Sequence, residues 1–150
     1  MKIQTTAYDL AQRFIGTAEV SGSLHNPQIM AMLRLDNDWP TDDSVPWCSA
    51  WVNYIAWLLR LPRSKSLAAR SWLSVGRPVK VFDAEAENDV VVLSRGPSSP
   101  GPEVLDAPGH VGFFAGRENE SVLVLGGNQG DTVSVAPFPF QRVLGVRRLL

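Results

Sequence analysis

The first half of the chain has apolar residues at helical spacing, at every third or fourth position. Glycine and proline divide this half into segments, because glycine favours helix ends and proline cannot continue a helix. His25 or Asn26 is expected to start the second segment, with Pro27 in its first position. Four helices are predicted, over residues 6–14, 26–33, 46–61 and 68–75.

The second half has the alternation and the β-branched residues that are typical of strands. Helices therefore come first and an antiparallel meander follows, without an internal repeat or a linker. This order predicts a single α+β domain over residues 1–150, with the helices packed on one face of the sheet. Strands are predicted over residues 89–94, 110–115, 122–125, 132–136 and 142–149, and a long glycine- and proline-rich loop over 95–108.

The only cysteine lies at the start of the third predicted helix. Pro46 is expected at the entry of this helix and Ser44 as its cap, so that Cys48 lies in the first turn. Backbone N–H groups and the helix dipole stabilise a thiolate at such a position. A lone cysteine is otherwise a small buried apolar residue, and position alone leaves both interpretations open. Helical spacing predicts that five apolar residues share the face of the thiol: Trp51, Val52, Ile55, Leu58 and Leu59.

Composition narrows the classes of function. The 150 residues are 45% hydrophobic and 19% charged, as in an ordinary globular domain, and the formal net charge of −1 does not favour nucleic-acid binding. A single cysteine excludes an internal disulfide. The first residues lack the apolar region of a signal peptide, and no stretch of about 20 apolar residues predicts a membrane span. We therefore expect a monomer that is made in the cytoplasm and does not insert into membranes.

A thiolate nucleophile needs a base, and the chain has two histidines. His110 opens a predicted strand, whereas His25 lies in a polar turn, where a surface or capping role is expected. Two registers of the hairpin place His110 opposite either Gly127 or Asn128, and both bring Asn128 beside the imidazole. Gln129 is expected on the other face of the strand. The surrounding glycines are also typical of a turn, so a turn role for Asn128 stays open.

These residues predict the chemistry of a cysteine hydrolase. His110 takes the proton of Cys48, which is expected to give a standing thiolate–imidazolium pair, and the thiolate attacks an amide carbonyl. The carboxamide oxygen of Asn128 would orient the imidazole without adding charge. The backbone N–H of Cys48 is a candidate oxyanion donor. The candidates for lining the substrate groove are Trp47, Trp72 and Gln129.

Five separated segments carry a pattern that extends over nearly the whole chain. They are PWCSAWVN (46–53), AARSWL (68–73), GHVGF (109–113), VLGGNQ (124–129) and VLGVRR (143–148). Together they resemble the CHAP-like and NlpC/P60-like cysteine peptidoglycan hydrolases, and most closely a small phage-associated group of phage lysin type. The resemblance implies a papain-like core with Cys48 as nucleophile, His110 as base and Asn128 as the residue that orients the base.

The resemblance also implies bacterial peptidoglycan as substrate. The bond cleaved is either the N-acetylmuramoyl-L-alanine amide or a peptide bond of the stem or cross-bridge. The expected setting is a phage endolysin released through a holin, a virion-associated lysin, or an injected antibacterial effector with a dedicated inhibitor protein. Each would act in the periplasm or cell wall. In a chain of this length a separate wall-binding module is not expected.

Two other classes of function stay open. One is a non-catalytic module that keeps the fold and binds wall fragments or builds a phage particle. The other is a cysteine protease or transglutaminase-like enzyme that acts on proteins. Arg70 and Arg95 are either ligands for a substrate carboxylate or ordinary surface charges.

Residues 36–46 form an acidic loop in which four carboxylates offer oxygen ligands to calcium: Asp36, Asp38, Asp42 and Asp43. The run lacks the glycine that an EF-hand loop has at its sixth position, so a solvated acidic rim is favoured over a calcium site. No spacing of Cys and His suits zinc, and no other cofactor is expected. Trp39 in this loop is either a sugar-stacking platform or a local packing anchor.

Overall fold

The computed structural model describes residues 4–20, 25–96 and 98–150. Within these ranges the chain forms three α-helices, α1 (Ala7–Ala11), α2 (Pro27–Leu33) and α3 (Cys48–Leu58). Short 3₁₀ helices occur at Gln12–Phe14, Ala69–Ser74, Val81–Asp83 and Phe140–Arg142. The helix predicted over 68–75 is therefore a 3₁₀ helix, and the first predicted helix is α1 continued by a 3₁₀ turn.

Side chains of the local sequence fix the starts of α1 and α2. Thr6 and Asp9 form a capping box, in which each side chain accepts a hydrogen bond from the backbone N–H of the other. Asn26 caps α2 by accepting from the backbone N–H groups of Gln28 and Ile29. The predicted start of α2 is thereby confirmed at Asn26.

The third helix begins differently from its prediction. Trp47 is the residue before α3, Cys48 is its first residue, and no side chain among the described residues caps it. The expected helix entry at Pro46 with Ser44 as cap is wrong, because Ser44 instead donates its hydroxyl and backbone N–H to Asp42. Cys48 nevertheless lies in the first turn, as predicted.

In the described part of the chain, six strands form one antiparallel sheet in the order β1-β6-β2-β3-β4-β5. The observed α+β architecture confirms the predicted fold class. The short strand β1 was not predicted, and β3 extends three residues beyond its predicted end. The strands are β1 (Arg77–Val79), β2 (Asp89–Ser94), β3 (Gly109–Glu118), β4 (Ser121–Gly126), β5 (Ser134–Pro139) and β6 (Val143–Arg148).

Both faces of the sheet are covered, so all six residues of β2 are buried. The helices pack on one face, where Trp51 contacts Phe113 edge to face with ring centroids 5.3 Å apart. A smaller apolar cluster that includes Phe114 covers the other face. Leu58, expected beside the thiol, is 43% exposed near the end of α3. No helix within the described ranges is long and apolar enough to cross a membrane.

Candidate active site

Cys48 lies where the start of α3 packs against β3, and only 3% of the residue is exposed. The backbone N–H of Val111, on β3, lies near enough to its sulfur to lower the pKa of the thiol, as do the N–H groups of Ser49 and of Cys48 itself. The thiol is therefore held against the strand residue that directly follows His110. Backbone N–H groups at a helix start also suit the stabilisation of an oxyanion.

Burial determines the charge state of this thiol. Removal from water raises the pKa of Cys48 above its usual value, and this effect exceeds the lowering by the Val111 N–H and by the positive charge of Arg95. Cys48 is consequently a neutral thiol at pH 7 in this structure. It becomes a nucleophile only when a base removes its proton.

His110 is the second residue of β3 and is 3% exposed. Its partner on the neighbouring strand β2 is Leu93. The ring of Phe138 is tilted against the imidazole, with the two ring centroids 5.5 Å apart. The Nε2 atom of His110 lies 2.9 Å from Oε1 of Gln129. The position of the imidazole is thus fixed by β3, by packing against Phe138 and by one side-chain hydrogen bond.

The contacts of Gln129 fix which nitrogen of His110 carries the proton. The amide nitrogen of Gln129 donates to the carbonyl oxygens of Ser134, at 2.7 Å, and Val124, at 3.3 Å. Its Oε1 is therefore the atom that faces the imidazole, and an amide oxygen only accepts. His110 must donate from Nε2, so the lone pair of the neutral ring is on Nδ1. Nδ1 is then the basic atom of the imidazole.

The side chain that hydrogen-bonds to His110 is Gln129, not the predicted Asn128. At Phe113 and Phe114 the hairpin adopts the second of the two predicted registers, in which the strands continued would bring Asn128 opposite His110. However, β4 ends at Gly126, and Asn128 has a left-handed backbone with φ of 60°. The chain turns at this residue and delivers the side chain of Gln129, not Asn128, to the imidazole.

Gly126 makes this contact sterically possible. A Cβ atom at Gly126 would lie 2.2 Å from Oε1 of Gln129 and 3.1 Å from Nε2 of His110. The first distance is far shorter than any contact that a Cβ makes with another atom, so a larger residue would displace the carboxamide. The hydrogen bond between Gln129 and His110 thus requires a glycine at position 126. The tendency of Asn to adopt left-handed backbone was the signal for this turn.

The pKa shifts of the two groups favour a neutral pair over the expected thiolate–imidazolium pair. Burial lowers the pKa of His110 to about 4; the hydrogen bond to Gln129 raises it, and the charges of Arg95 and Arg142 lower it further. Because the pKa of Cys48 is raised, both groups favour their neutral forms at pH 7. In the absence of substrate, Cys48 is therefore a neutral thiol and His110 a neutral imidazole.

A cleft of about 500 Å³ opens beside His110. Asn128 and Gln129 line it together with Phe138, which the sequence did not reveal as part of the site. Arg95 and Arg142 also line it. The prediction that Gln129 lies on the opposite face from His110 is wrong, since the turn at residue 128 reverses the alternation.

The two predicted groove tryptophans are fully buried and line no groove. The Nε1 group of Trp47 donates to Oε1 of Glu19 at 2.9 Å, and its ring lies against the backbone of Gly127. The Nε1 group of Trp72 donates to Oγ of Ser49 at 3.0 Å. Both tryptophans support the start of α3 from beneath. Their position beside motif residues in the sequence therefore does not place them in the groove.

Arg70 is neither a surface charge nor a free ligand for a carboxylate. It is 0% exposed, and its guanidinium donates to four backbone carbonyl oxygens of the loop that precedes β3. The acceptors and distances are Pro100 at 3.0 Å, Gly101 at 2.7 Å, Val104 at 3.0 Å and Pro108 at 3.1 Å. Arg70 therefore shapes the loop that leads into His110.

The carboxylates of the acidic loop do not converge. Asp36 pairs with Arg63 at 2.8 Å, Asp42 accepts from Ser44, and Asp43 accepts the backbone N–H groups of residues 20 and 26. Across the ranges that the structure describes, no group of three or more His, Cys, Asp or Glu side chains is arranged to hold a metal ion. Trp39 is 62% exposed.

No known family profile and no curated protein matches this chain. A solved structure does: NlpC1 from Trichomonas vaginalis has a TM-score of 0.58 and 15% sequence identity, over 99% of this chain and 46% of NlpC1. The chain has an NlpC/P60-like fold. It spans about half the length of NlpC1. The CHAP and phage groupings suggested by the sequence stay predictions.

Proposed function

We propose that this protein is a cysteine hydrolase that cleaves an amide bond of bacterial peptidoglycan. One observation carries the proposal: Gln129 fixes the tautomer of His110 so that its basic Nδ1 is left for a thiol, on the strand against which Cys48 packs. A buried cysteine with a purely structural role would need no such base. The NlpC/P60-like fold and the sequence resemblance supply the substrate class.

The neutral pair defines the order of the steps. As the sulfur of Cys48 attacks the amide carbonyl, its proton passes to Nδ1 of His110, and the imidazolium keeps its Nε2–H bond to Gln129. The carbonyl oxygen becomes an oxyanion that the backbone N–H groups at the start of α3 stabilise. The imidazolium then protonates the leaving amine, which departs as the thioester forms. Water, deprotonated by His110, hydrolyses the thioester and restores the thiol.

The resemblance favours a phage endolysin or virion-associated lysin that acts as a monomer on the cell wall, without a cofactor. The alternative settings are an injected amidase effector and a non-catalytic wall-binding module. The bond is the N-acetylmuramoyl-L-alanine amide or a peptide bond in the stem or cross-bridge. These bonds require the same thiol chemistry and differ only in the fit of the cleft.

The test is digestion of purified sacculi of several wall types, with mass spectrometry of the released fragments. Wild type should release fragments, and Cys48→Ala should release at least 10³-fold less while unfolding at the same temperature. Release of intact stem peptides from glycans that are left with free lactyl carboxyl groups would identify an amidase. Release of cut stems or cut cross-bridges would identify an endopeptidase. Equal release by Cys48→Ala would refute the mechanism. Absence of release by folded wild type, with casein as a parallel substrate, would favour a binding module or a protein substrate.

A further inference from the structure

The cleft beside His110 is positively charged, whereas the chain as a whole is close to neutral. The chain carries 14 Lys and Arg against 15 Asp and Glu. The cleft lining, in the part of the chain that the structure describes, contains two guanidinium groups, Arg95 and Arg142, and no carboxylate side chain. A concave surface with two unneutralised cations favours an anionic ligand.

Arg142 is held in a defined orientation. Its Nε and Nη2 atoms both donate to the carbonyl oxygen of Ser94, at 2.9 and 2.8 Å, and its guanidinium lies 5.0 Å from the ring centroid of Phe138. Among the described residues, its Nη1 atom has no acceptor within hydrogen-bond distance. The same Phe138 ring lies beside His110. The free edge of Arg142 is therefore fixed relative to the imidazole.

Arg95 follows directly after β2, and its backbone N–H donates to Oγ of Ser99. Its side chain is exposed and lines the same cleft as Arg142. The charge of Arg95 acts on both His110 and Cys48, so its guanidinium lies within electrostatic reach of both proposed catalytic groups. Two cations near one imidazole destabilise its protonated form unless a ligand neutralises them.

We propose that Arg95 and Arg142 bind a carboxylate of the substrate in this cleft, next to the amide that Cys48 attacks. This inference rests on the proposed function, because peptide stems of peptidoglycan supply such carboxylates. Guanidinium groups match a carboxylate in shape and bind it through paired hydrogen bonds. The bound carboxylate also offsets the two positive charges that oppose protonation of His110. The site therefore couples recognition of the substrate to the strength of the base.

The proposal predicts discrimination between an acid and its amide. The probe is N-acetyl-L-alanyl-D-glutamine, whose α-carboxylate is its single anionic group, compared with the same dipeptide in which that carboxylate is a carboxamide. Binding to Cys48→Ala protein is measured by NMR titration, so that cleavage plays no part. The acid should bind at least tenfold more tightly than the amide, and the difference should shrink between 50 and 500 mM salt.

The variants locate the effect. Arg95→Gln and Arg142→Gln, each in the Cys48→Ala background, should abolish the preference for the acid, while Arg13→Gln, which removes an exposed charge elsewhere, should keep it. Arg95 is exposed, so its variant tests the site without a risk to folding. Equal binding of acid and amide, binding of neither at 10 mM, or a preference that survives Arg95→Gln would overturn the proposal. Digestion of sacculi by wild type decides the proposed function separately.

Discussion

Cys48 and His110 lie in two regions of the molecule that are held by different contacts. The helix side, at the start of α3, is fixed by packing of fully buried side chains such as Trp47 and Trp51. The sheet side, where β3 begins and β4 ends, is fixed by the hydrogen bonds of Gln129. Packing gains stability from area, whereas a hydrogen bond depends on the placement of individual atoms.

The comparison shows which kind of substitution should affect each side. On the helix side a change in side-chain volume should alter stability more than activity, because many packing contacts together position Cys48. On the sheet side a change of one polar atom should alter activity more than stability, because the tautomer of His110 depends on a single acceptor. The following predictions test this difference.

Gln129→Ala should have the largest effect on the sheet side. Loss of the Oε1 acceptor frees the ring and its tautomer, and we expect kcat/KM for fragment release to fall about 10²-fold with a small change in stability. The matched control is Asn128→Gly, which keeps the left-handed backbone and should change kcat/KM less than threefold. An equal loss in Asn128→Gly would return the orienting role to Asn128.

Gly126→Ala should reproduce most of this loss without removing a polar group. The added Cβ displaces the Gln129 carboxamide, so we expect a decrease of about 30-fold in kcat/KM. In the double variant with Gln129→Ala the losses should not add, because both break the same hydrogen bond. Gly145→Ala, whose Cβ meets only Leu73 Cδ2 at 2.9 Å, is the control. Additive losses would mean that Gly126 acts through another contact.

The two sides should lose stability at opposite ends of the pH range. The pKa of folded His110, about 4, is below its unfolded value of roughly 6.5, so the unfolded chain binds more protons between these values. Stability should therefore fall as pH decreases, by roughly 2 kcal/mol between pH 7.5 and 5. Urea unfolding of wild type and His110→Gln measures this, since His25 is common to both. An equal fall in His110→Gln would contradict the assignment.

Cys48 provides the alkaline counterpart. Its folded pKa is raised, so the folded chain keeps a proton that the unfolded chain releases, and stability should fall as pH rises above the unfolded value of the thiol. Cys48→Ala should show a smaller fall between pH 8 and 10 in the same unfolding measurement. A standing thiolate would give the reverse: stability that increases with pH in this range.

Trp47→Phe should have the smallest effect. It removes the hydrogen bond to Glu19 but leaves an aromatic ring under the start of α3, so we expect a loss of about 1 kcal/mol in the free energy of unfolding. Fragment release should change less than threefold. A large loss of activity at unchanged stability would show that Trp47 contacts substrate after all.

The same difference explains what the sequence could reveal. Apolar periodicity predicted the helices, the main strands and the inward position of Cys48, because packing repeats along the chain. The choice of Gln129 over Asn128 depended on one left-handed residue, and strand alternation cannot register such a reversal. The burial of Arg70 could not be predicted either. Its acceptors are backbone carbonyl oxygens 30 to 38 residues away, and any residue type can supply a backbone carbonyl.

The carbonyl oxygens around Arg70 have a consequence for the conditions under which the protein works. Within the described ranges no carboxylate pairs with this buried cation; peptide dipoles alone offset its charge. Peptide dipoles do not titrate, and salt screens buried contacts weakly. The loop that leads into His110 should therefore keep its conformation at low pH and at high salt concentration. A surface ion pair in the place of these hydrogen bonds would be weakened under both conditions.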